Sequence, residues 1–159
     1  MRVRPVRQGE EAALRQVFFS AVHDTASRDY TPEQIDAWAP VAKESDAAPW
    51  AERIRKIRPF VAERDGAIVG YADVQVNGCI DHFFVAGPAA GTGVGSALME
   101  RIHEVALARA TACLFAEVSI TARPFFEKWG FAVEARQTVT IRGVELTNFR
   151  MRKELAPIP

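Results

Sequence analysis

The stretch Phe83-Phe84-Val85-Ala86-Gly87-Pro88-Ala89-Ala90-Gly91-Thr92-Gly93-Val94-Gly95-Ser96 restricts the fold more than any other part of the chain. An apolar strand runs into it. A helix expected over about Gly93 to Ala110 runs out of it, with Val94, Leu98, Ile102 and Val105 on one face. The glycines between allow backbone N–H groups to converge at the positive end of that helix, a geometry that holds phosphate. Two phosphate loops do not fit. A Walker loop needs Lys-Ser/Thr after its last glycine, and here Ser96-Ala97 follow Gly95. A dinucleotide fingerprint needs G-x-G-x-x-G inside a βαβ unit, whereas Gly91, Gly93 and Gly95 alternate and the strands before them form hairpins. What remains is a pyrophosphate cradle of another kind or a glycine-rich connection that binds nothing.

The flanking sequence supplies the frame. Arg2 to Val6 reads as a short strand, and Leu14, Val17, Phe18, Ala21 and Val22 carry helical spacing through Gly9 to about Thr25. Thr31-Pro32-Glu33-Gln34 predicts a helix start, with Thr31 as N-cap, Pro32 at the first position and Gln34 closing a capping box. That helix runs to about Trp38 before Pro40, and a further one is expected over Ala48 to Ile57. The period then changes to that of strands: Phe60 to Glu63, an Asp65-Gly66 turn, Ala67 to Val76, an Asn77-Gly78 turn and Cys79 to Val85, an antiparallel meander. After the glycine loop and its helix come a strand over Cys113 to Ser119 and a short helix from about Ala122 to Trp129, closed at Gly130. Strands over Phe131 to Ile141 and Glu145 to Lys153 flank an Arg142-Gly143 turn. The order β-α-α-β-β-β-α-β-α-β-β predicts an α/β (α+β) fold with a mixed, mostly antiparallel sheet of about seven strands and about four helices.

The 159 residues make one domain, 1–159, large enough to build a core without disulfides or metal. Twenty Lys+Arg balance 20 Asp+Glu, which argues against a nucleic-acid partner, since counterion displacement needs a cationic excess. No apolar run approaches membrane-spanning length, and Met1-Arg2-Val3-Arg4-Pro5 lacks a signal-peptide core, so the expectation is a cytoplasmic protein with no membrane partner. Cys79 and Cys113 are expected as reduced core thiols, and no residue set suggests a metal. The neutral total hides segregation. Gly9 to Glu52 holds nine acidic and three basic residues, and Arg123 to Lys153 seven basic and three acidic. The bland reading is solvated helix faces. The sharper one is an acidic side for a cation and a basic side for an anion.

Val85 with Gly91-Thr92-Gly93-Val94-Gly95-Ser96-Ala97-Leu98 resembles the pyrophosphate motif of the GNAT superfamily of N-acetyltransferases, Q/R-x-x-G-x-G/A after a strand ending in Val. Ser119-Ile120-Thr121-Ala122-Arg123-Pro124-Phe125-Phe126-Glu127-Lys128-Trp129-Gly130-Phe131 resembles its N-x-x-A-x-x-F/L-Y-E-K-x-G-F segment. The element order matches as well, so the resemblance spans nearly the whole chain. Three further stretches, Ser27 to Pro40, Ile80-Asp81-His82 and Arg142 to Phe149, resemble a bacterial subgroup of the YafP type. The resemblance implies acetyl-CoA as co-substrate, lying where the strand ending at Val85 splays from the strand ending at Ser119. Phe84 and Val85 would hold the pantetheine and thioester, and Ala90, Gly91, Thr92, Gly93, Val94, Gly95 and Ser96 the pyrophosphate. Ser119, Ala122, Phe125 and Phe126 complete the implied cofactor site. The acceptor would be the amine of a small molecule.

Three positions depart from the pattern. Ala90 stands at the Gln/Arg position, Ser119 at the Asn position, and Phe126 where a Tyr often protonates the leaving thiolate. Phe126 has no proton to give, which keeps open a CoA-binding sensor that has lost catalysis. The missing attraction for CoA is expected from Arg123, Lys128 or a neighbour. Strand alternation puts Asp81 and Phe83 on the face of Val85, and Glu117 on the face of Ser119. Asp81 is therefore the candidate base and Glu117 the orienting carboxylate. Tyr30, Trp38 and His82 are the candidate acceptor-binding residues, although a regular strand turns His82 the other way. The C-terminal hairpin leaves an edge that a homodimer would cover.

Overall fold

The computed structural model describes residues 1–155. Two four-stranded sheets lie side by side. The first has the order β1-β2-β3-β5, formed by Arg2–Pro5, Phe60–Arg64, Ala67–Ala72 and Phe83–Val85, all antiparallel. The second has the order β4-β6-β8-β7, formed by Cys79–Ile80, Cys113–Ser119, Val144–Glu154 and Ala132–Ile141, antiparallel except for the parallel β4–β6 pair. β5 and β6 do not pair, so the sheets part there.

Local chemistry accounts for most boundaries. In α2 (Pro32–Trp38) the expected capping box forms: Gln34 N–H donates to Thr31 Oγ1 at 3.2 Å, and Thr31 N–H donates to Gln34 Oε1 at 2.9 Å. Two orphan donors of the first turn are thereby satisfied. α1 (Glu11–Ser20) is shorter than the predicted span, because Ala21–Thr25 widens into a π-helical turn. α3 (Ala47–Ile57) follows the prediction and ends at Arg58 in the left-handed conformation. The turn glycine Gly78 is obligatory for a steric reason, since a Cβ there would sit 2.0 Å from the Cys113 carbonyl oxygen.

The core has three parts. α4 (Val94–Ala108) buries Val94, Leu98, Met99, Ile102 and Ala106 completely against both sheets, each large side chain stabilising the fold by roughly 1.5–3 kcal/mol. α1 and α3 cover the other face of the first sheet through Leu14, Val17, Ile54 and Ile57 on Val61 and Tyr71. α2 packs on the C-terminal hairpin through Ile35 and Ala39 against Leu146. α5 (Arg123–Lys128) closes the second sheet. No helix among the described residues is long and apolar enough to cross a membrane.

The predicted strand Cys79 to Val85 is two strands. β4 joins the second sheet and β5 the first, and the chain crosses between them at Asp81-His82. The cause is Asp73, a fully buried carboxylate just past the end of β3. Its Oδ1 accepts the N–H groups of Asp81 at 2.9 Å and His82 at 2.5 Å, and its own N–H donates to the His82 carbonyl at 3.1 Å. A side chain thus replaces ladder bonds, and the predicted strand Ala67 to Val76 ends early at Ala72 for the same reason.

Candidate active site

The parting of the sheets opens a cleft of about 450 Å³. Phe83, Phe84 and Val85 of β5 form one wall, and Ala116 to Ser119 of β6 with Ala122, Phe125 and Phe126 form the other. The π-helical turn roofs it with Val22 and Thr25, and Ala90, Gly91, Gly93, Gly95 and Ser96 close one end. At that end Gly93 has φ +94°, a conformation unfavourable for residues with a Cβ. The first helical bond of α4 runs from Ala97 N–H to the Gly93 carbonyl at 3.1 Å, so Val94, Gly95 and Ser96 present N–H groups with no helical acceptor. A Cβ on Gly95 would come within 3.2 Å of the Phe125 ring, so the bare backbone is what lets that ring close the cleft.

Two expected cofactor residues do not face the cleft with their side chains. Val94 is fully buried beneath α4, where its apolar side chain belongs. Thr92 is turned away from the cleft: its hydroxyl donates to the Ala89 carbonyl at 2.5 Å and accepts from Arg64 Nη1 at 2.9 Å, and its carbonyl accepts from Arg64 Nη2 at 3.1 Å. Arg64 is therefore the cation fixed on the loop, delivered by the tip of the β2–β3 hairpin. Sequence reasoning missed it. The signal was negative: no Lys or Arg lies between Gly87 and Met99, so any cation on the loop comes from another element. Arg123, one of the residues expected in that role with Lys128 or a neighbour, lies 4.7 Å over the Phe149 ring and pairs with Glu127 at 3.4 Å.

A second cavity of about 710 Å³ opens along β6 and β8. Trp38, Asp81, Phe84, Glu117 and Ser119 line both, so the two cavities adjoin. Asp81 is ion-paired with Arg53 of α3. Glu117 has no hydrogen-bond or ion-pair partner among the described residues, and its register neighbour on β8 is Arg150. Ser119 Oγ accepts Ala122 N–H at 3.0 Å, which leaves its O–H to donate. Tyr30 and Trp38 both line the second cavity, their rings edge to face at 5.6 Å. The Tyr30 hydroxyl is already used twice. It donates to the Thr147 carbonyl at 2.6 Å and accepts Ile120 N–H at 3.0 Å, and burial pushes its pKa up.

His82 lines neither cavity. Its ring packs among Trp50, Tyr71 and Phe84, centroids 5.7 to 6.0 Å away, with Nδ1 3.0 Å from the Tyr71 hydroxyl. Burial holds its pKa below the usual value, against the opposing pull of Asp81. The Asp73 break turns it under the wall that Phe84 forms. Phe126 is buried against Phe83 at 5.5 Å and Phe131 at 5.0 Å. Cys79 is unpaired and half-buried at the edge of the second cavity, with its pKa raised by burial. Asp73, also absent from the sequence reading, has a pKa pushed up to about 6 by burial, against the hydrogen bonds it accepts from His82, Gln75 and Asp81.

Comparison with known proteins agrees with this arrangement. The family model described as an acetyltransferase (GNAT) domain matches residues 26–155. An uncharacterized N-acetyltransferase, YafP of Escherichia coli K12, is 36% identical over 152 residues, covering 96% of this chain and 95% of that protein. A GCN5-related N-acetyltransferase structure from Rhodopseudomonas palustris, also described as a class-II aminotransferase, superposes with TM-score 0.90 at 31% identity, covering 97% and 95% of the two chains. A Salmonella typhimurium acetyltransferase, yncA, solved with acetyl-CoA, shares the fold at TM-score 0.69 and 20% identity, covering 100% and 96%.

Proposed function

Because the chain belongs to the GNAT family of acetyltransferases, we propose that it moves the acetyl group of acetyl-CoA directly to the amine of a small-molecule acceptor. Acetyl-CoA enters the first cleft with its pyrophosphate on the α4 N-terminus, and the acceptor enters the second cavity. The observation that carries this reading is the pair of carboxylates, Asp81 and Glu117, at the one place the two cavities meet.

The amine nitrogen attacks the thioester carbonyl carbon. A C–N bond forms, the C–S bond breaks, and CoA leaves as the thiolate. One ammonium proton of the acceptor goes to a base before attack, and the second N–H proton goes to water as the amide forms. Asp81 is engaged by Arg53, whereas both oxygens of Glu117 are free to accept, which favours Glu117 as the base and Asp81 as the fixed charge that orients the ammonium. This reverses the roles that strand alternation suggested. Phe126 supplies no proton, so the thiolate takes one from water. Holding both substrates in adjoining cavities supplies much of the rate.

Thiol release with a panel of amines, in wild type, Asp81→Asn and Glu117→Gln across pH 6 to 9, tests the assignment. Glu117→Gln is expected to lower kcat/KM by about a hundredfold or more. Undiminished turnover in both variants would exclude these carboxylates. Saturable acetyl-CoA binding without thiol release for any amine would favour a CoA-binding sensor, the reading that Phe126 motivates.

A further inference from the structure

Resting on that reading, we infer that the acceptor is an amine that also carries an anionic group, as an amino acid does, with the anion held by Arg150. Ile80 of β4 is in register with Ala116, so Asp81 follows beside Glu117, and Glu117 is in turn opposite Arg150 on β8. Two carboxylates and a guanidinium therefore stand in a row, from the residue that follows β4 across β6 to β8, neighbouring strands lying about 4.8 Å apart. All three line the second cavity.

The other charges there are spoken for. Arg152 donates to Glu154 at 2.7 Å, and Glu134, the extra residue of the β7 bulge, lies in its field. Arg150 has no ion-pair partner among the described residues, although Glu117 is its nearest register neighbour. An ammonium between Asp81 and Glu117 leaves Arg150 within reach of a carboxylate on the same molecule, one strand further across the row. Two or three carbons between nitrogen and carboxyl span that distance.

The experiment measures thiol release with alanine, β-alanine and γ-aminobutyrate against ethylamine and propylamine, in wild type, Arg150→Gln and Arg150→Lys. The best carboxylated amine is expected to exceed its alkylamine match in kcat/KM by about tenfold or more, through KM. That ratio falls toward one in Arg150→Gln and recovers in part in Arg150→Lys. Equal kcat/KM for acids and alkylamines, no turnover of any acid, or a preference that survives Arg150→Gln overturns the inference. Calorimetric titration of acetyl-CoA reports the cofactor cleft independently. If acetyl-CoA binds and the acids fail, only this inference falls. If acetyl-CoA does not bind, the proposed function falls with it.

Discussion

At the scale of single residues, Asp73 carries an electrostatic cost of burial. Its folded pKa of about 6 stands above the ordinary carboxyl value of 3.8. The folded state therefore binds this proton more tightly than the unfolded chain, and Asp73 subtracts stability progressively as pH rises from about 4 to about 6. Two pK units correspond to about 3 kcal/mol as an upper estimate. Asp73→Asn keeps the acceptor for Asp81 and His82 N–H but cannot ionise. Its Tm relative to wild type is expected to climb between pH 4 and 7, and parallel melting curves across that range would contradict the burial argument. Arg64 makes a second residue-scale prediction. Arg64→Met removes the cation bonded to Thr92, so Kd for acetyl-CoA is expected to rise about five- to tenfold, with weaker salt sensitivity. Acetyl-pantetheine, lacking the phosphates, should bind both proteins alike in calorimetry.

α4 shows at the scale of elements how far a pattern reaches. Its apolar face, the glycine loop before it and the capping box of α2 were all legible, because spacing, φ preference and capping are local. Leu98→Ala is expected to cost 2–5 kcal/mol in denaturant melts, since Leu98 is 1% exposed between both sheets. Gly93→Ala should cost about 1–2 kcal/mol through its positive φ, and weaken acetyl-CoA binding by moving the N–H groups that follow. The split of Cys79 to Val85 was not legible. Seven residues with strand-like character read as one strand, and the cause sits six residues upstream in a carboxylate whose burial no periodicity announces. The same holds for the packing of His82 under Phe84 and for Arg64, which reaches Thr92 from 28 positions away. Local backbone geometry such as the glycine loop can be read from spacing, whereas a contact made by a side chain from a distant element cannot.

The whole molecule is two sheets sharing one helix and a gap. A ligand that fills the gap touches both halves, so acetyl-CoA at a hundredfold excess over Kd is expected to add about 2.7 kcal/mol. Amide exchange should slow on β5 and β6 together, and protection confined to the α4 loop would mean that only the phosphate end binds. The uneven charge of the chain has partly structural work. Glu10 is held by Arg4 at 2.7 Å and Asp46 caps Lys43 N–H at 2.7 Å, so the acidic first third is less of a free field than its tally suggests. The crossing at Asp81-His82 also governs where the chain tolerates length change. The two residues between β4 and β5 set the phase in which Phe83, Phe84 and Val85 are presented to the gap. A residue gained or lost at the crossing would disrupt that wall. One gained at Lys43 or Glu44, on the exposed surface between α2 and α3, would leave it intact. Across relatives, insertions should collect in such surface connections and be absent from the two-residue crossing.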